Sequence, residues 1–215
     1  QGRLFSSRSA WDPTACVSVV YGKAGREDSH GHADWGQLCI DGYGERLIGD
    51  LGATQGYPPG KKQYYYNYQQ LGHNVPVFGD NDTGGVSLNT SSPTPERKYP
   101  QGCIIFNEFD DHKGGALTMD ITEPYGETAS RVLRTVAHAT PDVIAVIDDI
   151  SLTASQLIRL RWHTIAPAPP DEHGRFLVQG TRPSLACMVI RTDGPAELSL
   201  GRHEYQAPYN RDRIG

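Results

Sequence analysis

Residues 28–36 read Asp28-Ser29-His30-Gly31-His32-Ala33-Asp34-Trp35-Gly36, a stretch that gathers two imidazoles and two carboxylates. Neutral imidazole is the commonest metal ligand and also the side chain that exchanges protons nearest pH 7, so the stretch suits metal binding, proton transfer or both. In an extended chain, residues two apart share a face at a spacing of about 6.6 Å, which is wide for chelation of one ion. An extended backbone therefore predicts separate roles for His30 and His32, whereas a bend at Gly31 would bring the two imidazoles together.

The same stretch is open to two other interpretations. One is a polar loop whose two histidines are solvated. The other is a metal hydrolase of the metallo-β-lactamase type, whose metal motif also begins His-x-His-x-Asp. In that motif a further histidine directly follows the aspartate, and here Trp35 occupies the position. Metallo-β-lactamases also need helices against their sheets, and this chain has almost no helical periodicity.

Three blocks of sequence carry a family resemblance. They are residues 29–34, residues 44–52 (Gly-Glu-Arg-Leu-Ile-Gly-Asp-Leu-Gly) and residues 72–74 (Gly-His-Asn). In order, spacing and glycines they resemble the core signature of the heparinase II/III-like polysaccharide lyases. Residues 8–12 are similar to that family's initial strand, and residues 143–150 to a later core strand. The resemblance implies an all-β fold, a large antiparallel β-sandwich, and an upstream α/α-barrel domain in a longer protein.

The resemblance also implies an activity. Such lyases cleave uronic-acid glycans, among them heparin, heparan sulfate, other glycosaminoglycans and alginate, by β-elimination. Removal of the proton α to the uronate carboxyl requires a base, an acid for the leaving oxygen and neutralisation of the carboxylate. In the family, a tyrosine and a histidine of the barrel domain do much of this. We therefore expect the full-length protein to be a lyase, periplasmic or secreted rather than cytoplasmic, and the isolated chain to be inactive.

The matched motif assigns the site residues. His30 would be the catalytic histidine that faces the barrel domain. His32, Asp50 and His73 would hold a structural divalent metal, and two imidazoles with one carboxylate suit Zn²⁺ with water as the fourth ligand. Strand pairing does not itself bring these residues together, because pairing across a turn at residues 42–44 leaves Asp50 about 13 Å of strand from His32. The loop that carries His32 would have to fold back over the sheet.

A function of another class competes with the lyase. A non-catalytic carbohydrate-binding β-sandwich would use His30 as an ordinary loop residue and bind glycan through the tyrosines of residues 64–68, Tyr-Tyr-Tyr-Asn-Tyr. Flat tyrosine faces with a polar tip suit sugar rings, and tyrosines laid over a sheet edge have the same composition. A helical toroid upstream in the full-length sequence would favour the lyase, and its absence would favour the binding module.

Composition limits the class of protein. The chain has 215 residues, 37% of them hydrophobic, with 24 Gly and 15 Pro, which suits many short strands joined by turns. We expect one β-sandwich domain over residues 1–215, as a piece of a longer chain. The net charge is −5 without a Lys/Arg run, which argues against nucleic acid, and no apolar stretch approaches the length of a membrane span. An acidic polysaccharide would have to be held by a few basic residues in a cleft.

Alternating hydrophobicity predicts about twelve strands and no helix. On one strand, Arg159 and Arg161 share a face with His163, which suits bidentate binding of a carboxylate or sulfate, although solvated arginines on a strand face are the commoner case. The four cysteines lie in apolar runs without Cys-x-x-Cys spacing and are expected to be buried free thiols. The predicted strands span residues 15–21, 35–41, 45–51, 75–78, 102–109, 116–121, 130–139, 143–151, 156–164, 174–179, 185–191 and 197–200.

Overall fold

The computed structural model describes residues 4–25, 32–52, 66–79, 101–190, 193 and 196–203. Within these residues the chain forms twelve strands in antiparallel sheets, and its helical segments are short 3-10 turns at Tyr66–Tyr68, Gln70–Gly72 and Glu123–Thr128. The predicted all-β antiparallel fold is confirmed. The strands are β1 Leu4–Arg8, β2 Ser18–Lys23, β3 Gln37–Gly42, β4 Glu45–Ile48, β5 Pro76–Phe78, β6 Cys103–Asp110, β7 Gly114–Asp120, β8 Ala129–Ala139, β9 Val143–Leu152, β10 Ile158–Leu160, β11 Arg175–Gln179 and β12 Ser184–Met188.

Two four-stranded sheets, β1-β2-β3-β4 and β6-β7-β8-β9, form the body of the fold. One hydrophobic cluster joins them, with Val20 and Leu38 from the first sheet and Leu117 and Val136 from the second, each at most 2% exposed. Burial of apolar area between the sheets is the main stabilising term, at roughly 25 cal/mol per Å². The β5-β10 and β11-β12 pairs complete the described strands.

The β3–β4 hairpin positions the beginning of the candidate site. Tyr43 and Gly44 both have positive φ, 49° and 79°, as a type I′ turn requires, and this turn matches the twist of paired strands. The predicted hairpin is therefore confirmed. Strand β4 nevertheless ends at Ile48. Asp50 therefore lies beyond the strand, where strand pairing no longer fixes the direction of the chain.

Several predicted strand bounds are wrong. Residues 197–200 form no strand, and the predicted strand at 156–164 is reduced to β10 and one isolated bridge between Ile48 and Thr164. Residues 15–17 precede β2, which instead continues to Lys23. The initial strand lies at Leu4–Arg8 rather than at residues 8–12, because Leu4–Arg8 pairs with β2 along its whole length.

The four cysteines are free, as predicted. Cys39 is buried, whereas Cys16, Cys103 and Cys187 are half-buried, so the expectation of full burial holds for Cys39 alone. Cys16 lies before β2 rather than inside a strand. Among the described residues, no helix has the length and apolar character needed to cross a membrane.

A buried histidine ties the first sheet to the second. His138 is 2% exposed, with Ser7 Oγ at 2.8 Å from Nδ1 and Ser18 Oγ at 2.8 Å from Nε2. Ser18 Oγ donates to the carbonyl oxygen of Pro141, so it must accept from Nε2, and Ser7 then donates to Nδ1. Burial lowers the pKa of His138, which keeps the ring neutral in this network.

Arg134 lies at the centre of the second sheet and has no exposed side-chain surface. Its Nε and Nη2 donate to the two carboxylate oxygens of Asp148, at 2.7 and 2.9 Å, across the β8–β9 pair. Its Nη1 donates to the carbonyl oxygens of Gly36 and Asn74, at 2.9 and 2.5 Å. These two carbonyls belong to different loops, so one guanidinium fixes both loops against the sheet.

We predict that Arg134→Met lowers the free energy of unfolding by about 3–5 kcal/mol, because the substitution leaves the Asp148 carboxylate buried without its partner. Arg131→Met is the matched control on the same strand. Arg131 pairs with Asp149, but both side chains are about half exposed, at 52% and 51%, so the expected loss is at most about 1 kcal/mol. Urea unfolding followed by tryptophan fluorescence measures both values, and similar losses for the two variants would contradict the assigned role of Arg134.

Candidate metal centre

The segment that carries His32 and Asp34 is anchored by its neighbour Trp35, which is 1% exposed and packs in the core. The chain turns sharply after Asp34, since the N–H of Gln37 donates to the Asp34 carbonyl at 3.0 Å. Gly36 sits in this turn at φ 81°, and a Cβ there would approach Ile121 to 2.8 Å. The tryptophan that departs from the metallo-β-lactamase motif is thus a core residue that positions the segment.

A second segment brings His73 to the same place. Two short 3-10 turns, Tyr66–Tyr68 and Gln70–Gly72, precede it, and the His73 N–H donates to the carbonyl of Gln70 at 3.1 Å. The next residue, Asn74, is completely buried, and its Nδ2 donates to the carbonyls of Leu38 and Gly49 at 2.8 and 2.9 Å. Asn74 therefore fixes His73 against the ends of β3 and β4.

The two segments meet at three side chains. The rings of His32 and His73 have centroids 5.2 Å apart, and donor atoms of His32, Asp34 and His73 all lie within 4.8 Å of one another. Oδ2 of Asp34 also forms an ion pair with Nζ of Lys23 at 2.7 Å. The loop has folded back over the sheet, as a shared site requires.

Asp50 reaches the group through His73. Its Oδ2 lies 2.8 Å from His73 Nδ1, and its Oδ1 accepts from the N–H of Gly52 at 2.6 Å. A carboxylate only accepts, so Nδ1 carries a proton, and in the neutral ring Nε2 keeps its lone pair. Burial raises the pKa of Asp50, but the hydrogen bonds from His73 and from the Gly52 N–H outweigh it and lower this pKa below its usual value.

The residues present fit a divalent metal. Within the described part of the chain, His73 Nε2 and Asp34 Oδ1 are buried without a hydrogen-bond partner, which is costly unless a ligand completes them. Ligands of tetrahedral zinc at bond lengths of about 2.0–2.1 Å lie about 3.4 Å apart, so small shifts would close the present group around an ion. Burial, with a contribution from His73, lowers the pKa of His32 to about 4, so its imidazole is neutral and able to bind metal at pH 7.

The predicted site residues differ in where the structure places them. His30 lies outside the described residues, as do Tyr64 and Tyr65 of the tyrosine-rich stretch. The structure brings His32 and His73 together and places Asp50 against His73. Asp34, which was not among the predicted ligands, lies closer to the group than the spacing argument allowed, because the chain bends instead of staying extended.

Sequence reasoning missed the residues that support the site, above all Arg134 and Asn74. A signal for Arg134 was present: in a symmetric hairpin with its turn near Pro141, Arg134 falls opposite Asp148, and this register is observed. Opposite charges facing each other on two apolar strand faces indicate a buried pair. Nothing in the sequence marks Asn74 as buried, since most partners of its side chain are backbone groups of distant residues.

The comparisons with known proteins agree with this architecture. The family model "Heparinase II/III-like, C-terminal" matches residues 12–214. No curated protein sequence matches significantly. The all-β fold is not that of a metallo-β-lactamase, so that interpretation is wrong.

Solved structures of similar fold point the same way. A mutant of the heparan sulfate lyase HepC from Pedobacter heparinus superposes with a TM-score of 0.71 at 17% identity, over 98% of this chain and 31% of that one. A heparinase III superposes with a TM-score of 0.64 at 17% identity, over 84% of this chain and 26% of that one. Another heparinase III structure gives 0.61 at 14% identity, over 84% and 27%. The chain thus spans between a quarter and a third of the length of these proteins, and at such identities the likeness shows the fold.

We predict that the purified chain carries about one equivalent of zinc, and that His32→Ala and His73→Ala each remove it, because each deletes an imidazole donor. Metal that binds only the native state stabilises it, by about 2.7 kcal/mol at 100 times its Kd. A chelator should therefore lower the melting temperature of the wild type and of the His112→Ala control, whose histidine is exposed, but not that of the two site variants. Elemental analysis and thermal melts provide the measurements, and a metal-free wild type with chelator-independent melting would refute the site.

Proposed function

The chain belongs to the heparinase II/III-like family, and on that premise we propose that it is the β-sandwich domain of a polysaccharide lyase that cleaves uronic-acid glycans by β-elimination. The observation that carries the proposal is the meeting of His32, Asp50 and His73, which come from three separate sequence blocks, and His30 precedes His32 by two residues in the sequence. The similar solved structures are heparinases and a heparan sulfate lyase, which favours a glycosaminoglycan over alginate as the substrate.

Beta-elimination divides its tasks between groups on both sides of the uronate ring. The carboxylate must be neutralised, the α-proton removed and the leaving oxygen protonated. We assign His30 to one of these tasks, as a positioned imidazole that stabilises the carboxylate or transfers the proton. An upstream α/α-barrel domain of the same protein would supply the remaining groups, so this chain forms one wall of the cleft.

The metal has a structural task in this proposal. Zinc, when bound, supplies a fixed charge that ties the His32 segment to the His73 segment. His30 is only two residues from His32, so holding His32 in place also limits where the His30 imidazole can lie. The chain's own contacts already prepare this arrangement, because Arg134 fixes the backbone carbonyls of Gly36 and Asn74.

Two carboxylates are candidates for the third ligand. The family pattern assigns Asp50, whose Oδ2 accepts from His73 Nδ1 at 2.8 Å, so both atoms would bind one ion only with the imidazole proton on Nε2 instead of Nδ1. Asp34 lies in the donor group with both histidines, but its charge is already paired with Lys23. We therefore assign Asp50 to the metal and Asp34 to an outer position, where it accepts a hydrogen bond from a ligand ring.

We predict that Asp50→Asn weakens zinc binding more strongly than Asp34→Asn. Loss of an outer carboxylate typically costs 10–100-fold in metal affinity, and loss of the ligand itself should cost more. Competition with a chromophoric chelator measures both affinities, with circular dichroism to verify that each metal-free variant keeps its strands. The opposite ranking would transfer the ligand role to Asp34.

The lyase proposal is tested on His30 in the protein that includes the barrel domain. His30→Ala should leave zinc content and melting nearly unchanged and reduce cleavage of heparan sulfate by about 10²-fold or more, the usual scale for a proton-transfer group or charge stabiliser. The ultraviolet absorbance of the unsaturated product follows the reaction. His173→Ala, at an exposed histidine, is the control and should retain full activity.

Two outcomes would count against this proposal. Wild-type turnover in His30→Ala would show that the chemistry lies on another residue. Glycan binding without any cleavage by the wild-type protein would instead support the non-catalytic carbohydrate-binding module.

A further inference from the structure

A second polar cluster lies directly beside the candidate metal centre. Nη2 of Arg161 donates to the Tyr66 hydroxyl at 2.9 Å, and the same hydroxyl lies 3.2 Å from Nε2 of His163. The ring of His203 stacks on Tyr66 with centroids 3.7 Å apart and planes 8° from parallel. Asn74 links this cluster to the metal centre, because it follows His73 in the chain and its Oδ1 accepts from the His163 backbone N–H at 2.6 Å.

The direction of each hydrogen bond in the cluster can be assigned. Both Nδ2 hydrogens of Asn74 donate to backbone carbonyls, so the atom that faces His163 Nδ1 at 3.0 Å is the amide oxygen. His163 Nδ1 therefore carries the proton, and Nε2 accepts from Tyr66. The Tyr66 hydroxyl directs its proton to His163 and accepts from Arg161 through an oxygen lone pair. Each hydrogen bond in the cluster thus has one donor and one acceptor.

Arg161 carries a charge that no described carboxylate compensates. Arg46, Arg131, Arg134 and Arg175 each pair with an aspartate, whereas Arg161 has no carboxylate partner among the residues that the structure describes. One of its five N–H donors is used by Tyr66, and the residue is only half-buried. Burial first, and the Arg161 charge next, lower the pKa of His163 to about 4 and also lower the pKa of His203, so both rings stay neutral beside the guanidinium.

We propose that Arg161, backed by the Tyr66–His163 hydrogen bonds and the Tyr66–His203 stack, is the binding site for a carboxylate or sulfate group of an acidic sugar. A guanidinium with unused donors binds such oxyanions in bidentate geometry, and here its orientation is fixed by the tyrosine before the ligand arrives. The chain carries a net charge of −5, so retention of an acidic glycan depends on local cations of this kind. The site deepens the proposed function and rests on it, since it sets which sugar residue lies next to the metal-held wall of the cleft.

The neighbouring arginine of the predicted pair does not share this role. Arg159 Nη1 donates to the carbonyl of Gly79 at 2.8 Å, where β10 pairs with β5. The alternation that placed both arginines on one strand face therefore leads to two different partners. Arg161 is joined to Tyr66, and through it to the metal centre.

The test is equilibrium binding, without cleavage, of a tetrasaccharide of alternating glucuronate and N-acetylglucosamine. Three forms of it separate the two oxyanions: the parent, a carboxyl-reduced form without charge, and the carboxyl-reduced form bearing a 6-O-sulfate. The variants are Arg161→Gln, Arg161→Lys, and the control Arg131→Gln, which removes an equal charge from β8. Calorimetry measures each affinity, and thermal melts show whether each variant keeps the wild-type stability.

We expect Arg161→Gln to weaken the parent tetrasaccharide about 10-fold or more, Arg161→Lys to weaken it less, and Arg131→Gln to bind like the wild type. The carboxyl-reduced form should bind the wild type as weakly as the parent binds Arg161→Gln. If the Arg161→Gln substitution lowers the affinity for the sulfated form alone, the site binds sulfate in place of carboxylate. Equal affinity of wild type and Arg161→Gln for every form, or no binding by the wild type, would overturn the site, whereas the lyase proposal is decided separately by cleavage and by His30→Ala.

Discussion

The candidate site depends on one buried guanidinium. Arg134 neutralises Asp148 within the second sheet, and its Nη1 donates to the carbonyls of Gly36 and Asn74. A charge can be buried this deeply only when it is paired and its donors are satisfied. The same requirement makes Arg134 rigid, so the loops behind His32 and His73 take their positions from the interior of the sandwich and not from contacts at the surface.

Polar groups around the site differ in how completely they are satisfied. Asn74 makes hydrogen bonds through its backbone and all of its amide, whereas His73 Nε2 and Asp34 Oδ1 have no partner within the described residues. Saturated groups give a scaffold that does not move, and unsaturated ones mark where a further atom is needed. His73 and Asn74 are consecutive residues. The ring that lacks a partner at Nε2 is therefore held in place by the fully hydrogen-bonded residue that follows it.

The sequence was sufficient for the parts of the molecule that depend on local patterns. Alternation predicted the all-β fold and most strands, and glycines at residues 42 and 44 predicted the hairpin. It was insufficient where tertiary contacts decide: the path of the chain from Asp34 to Gln37 depends on burial of Trp35, and pairing arguments left Asp50 far from His32. Arg134 looked like one more strand arginine, because its role comes from two carbonyls contributed by residues about 60 and 98 positions away.

The pairing of β8 with β9 has a consequence for how faithfully the site can be assembled. Successive side chains of a strand face opposite sides, so a slip of one residue between these strands would turn Arg134 or Asp148 outward and separate them. Both loops would then lose their common support at once. A chain with the wrong β8–β9 register would therefore lose the whole binding geometry and not a part of it. The register of this hairpin thus controls the position of two loops that are distant from it in the sequence.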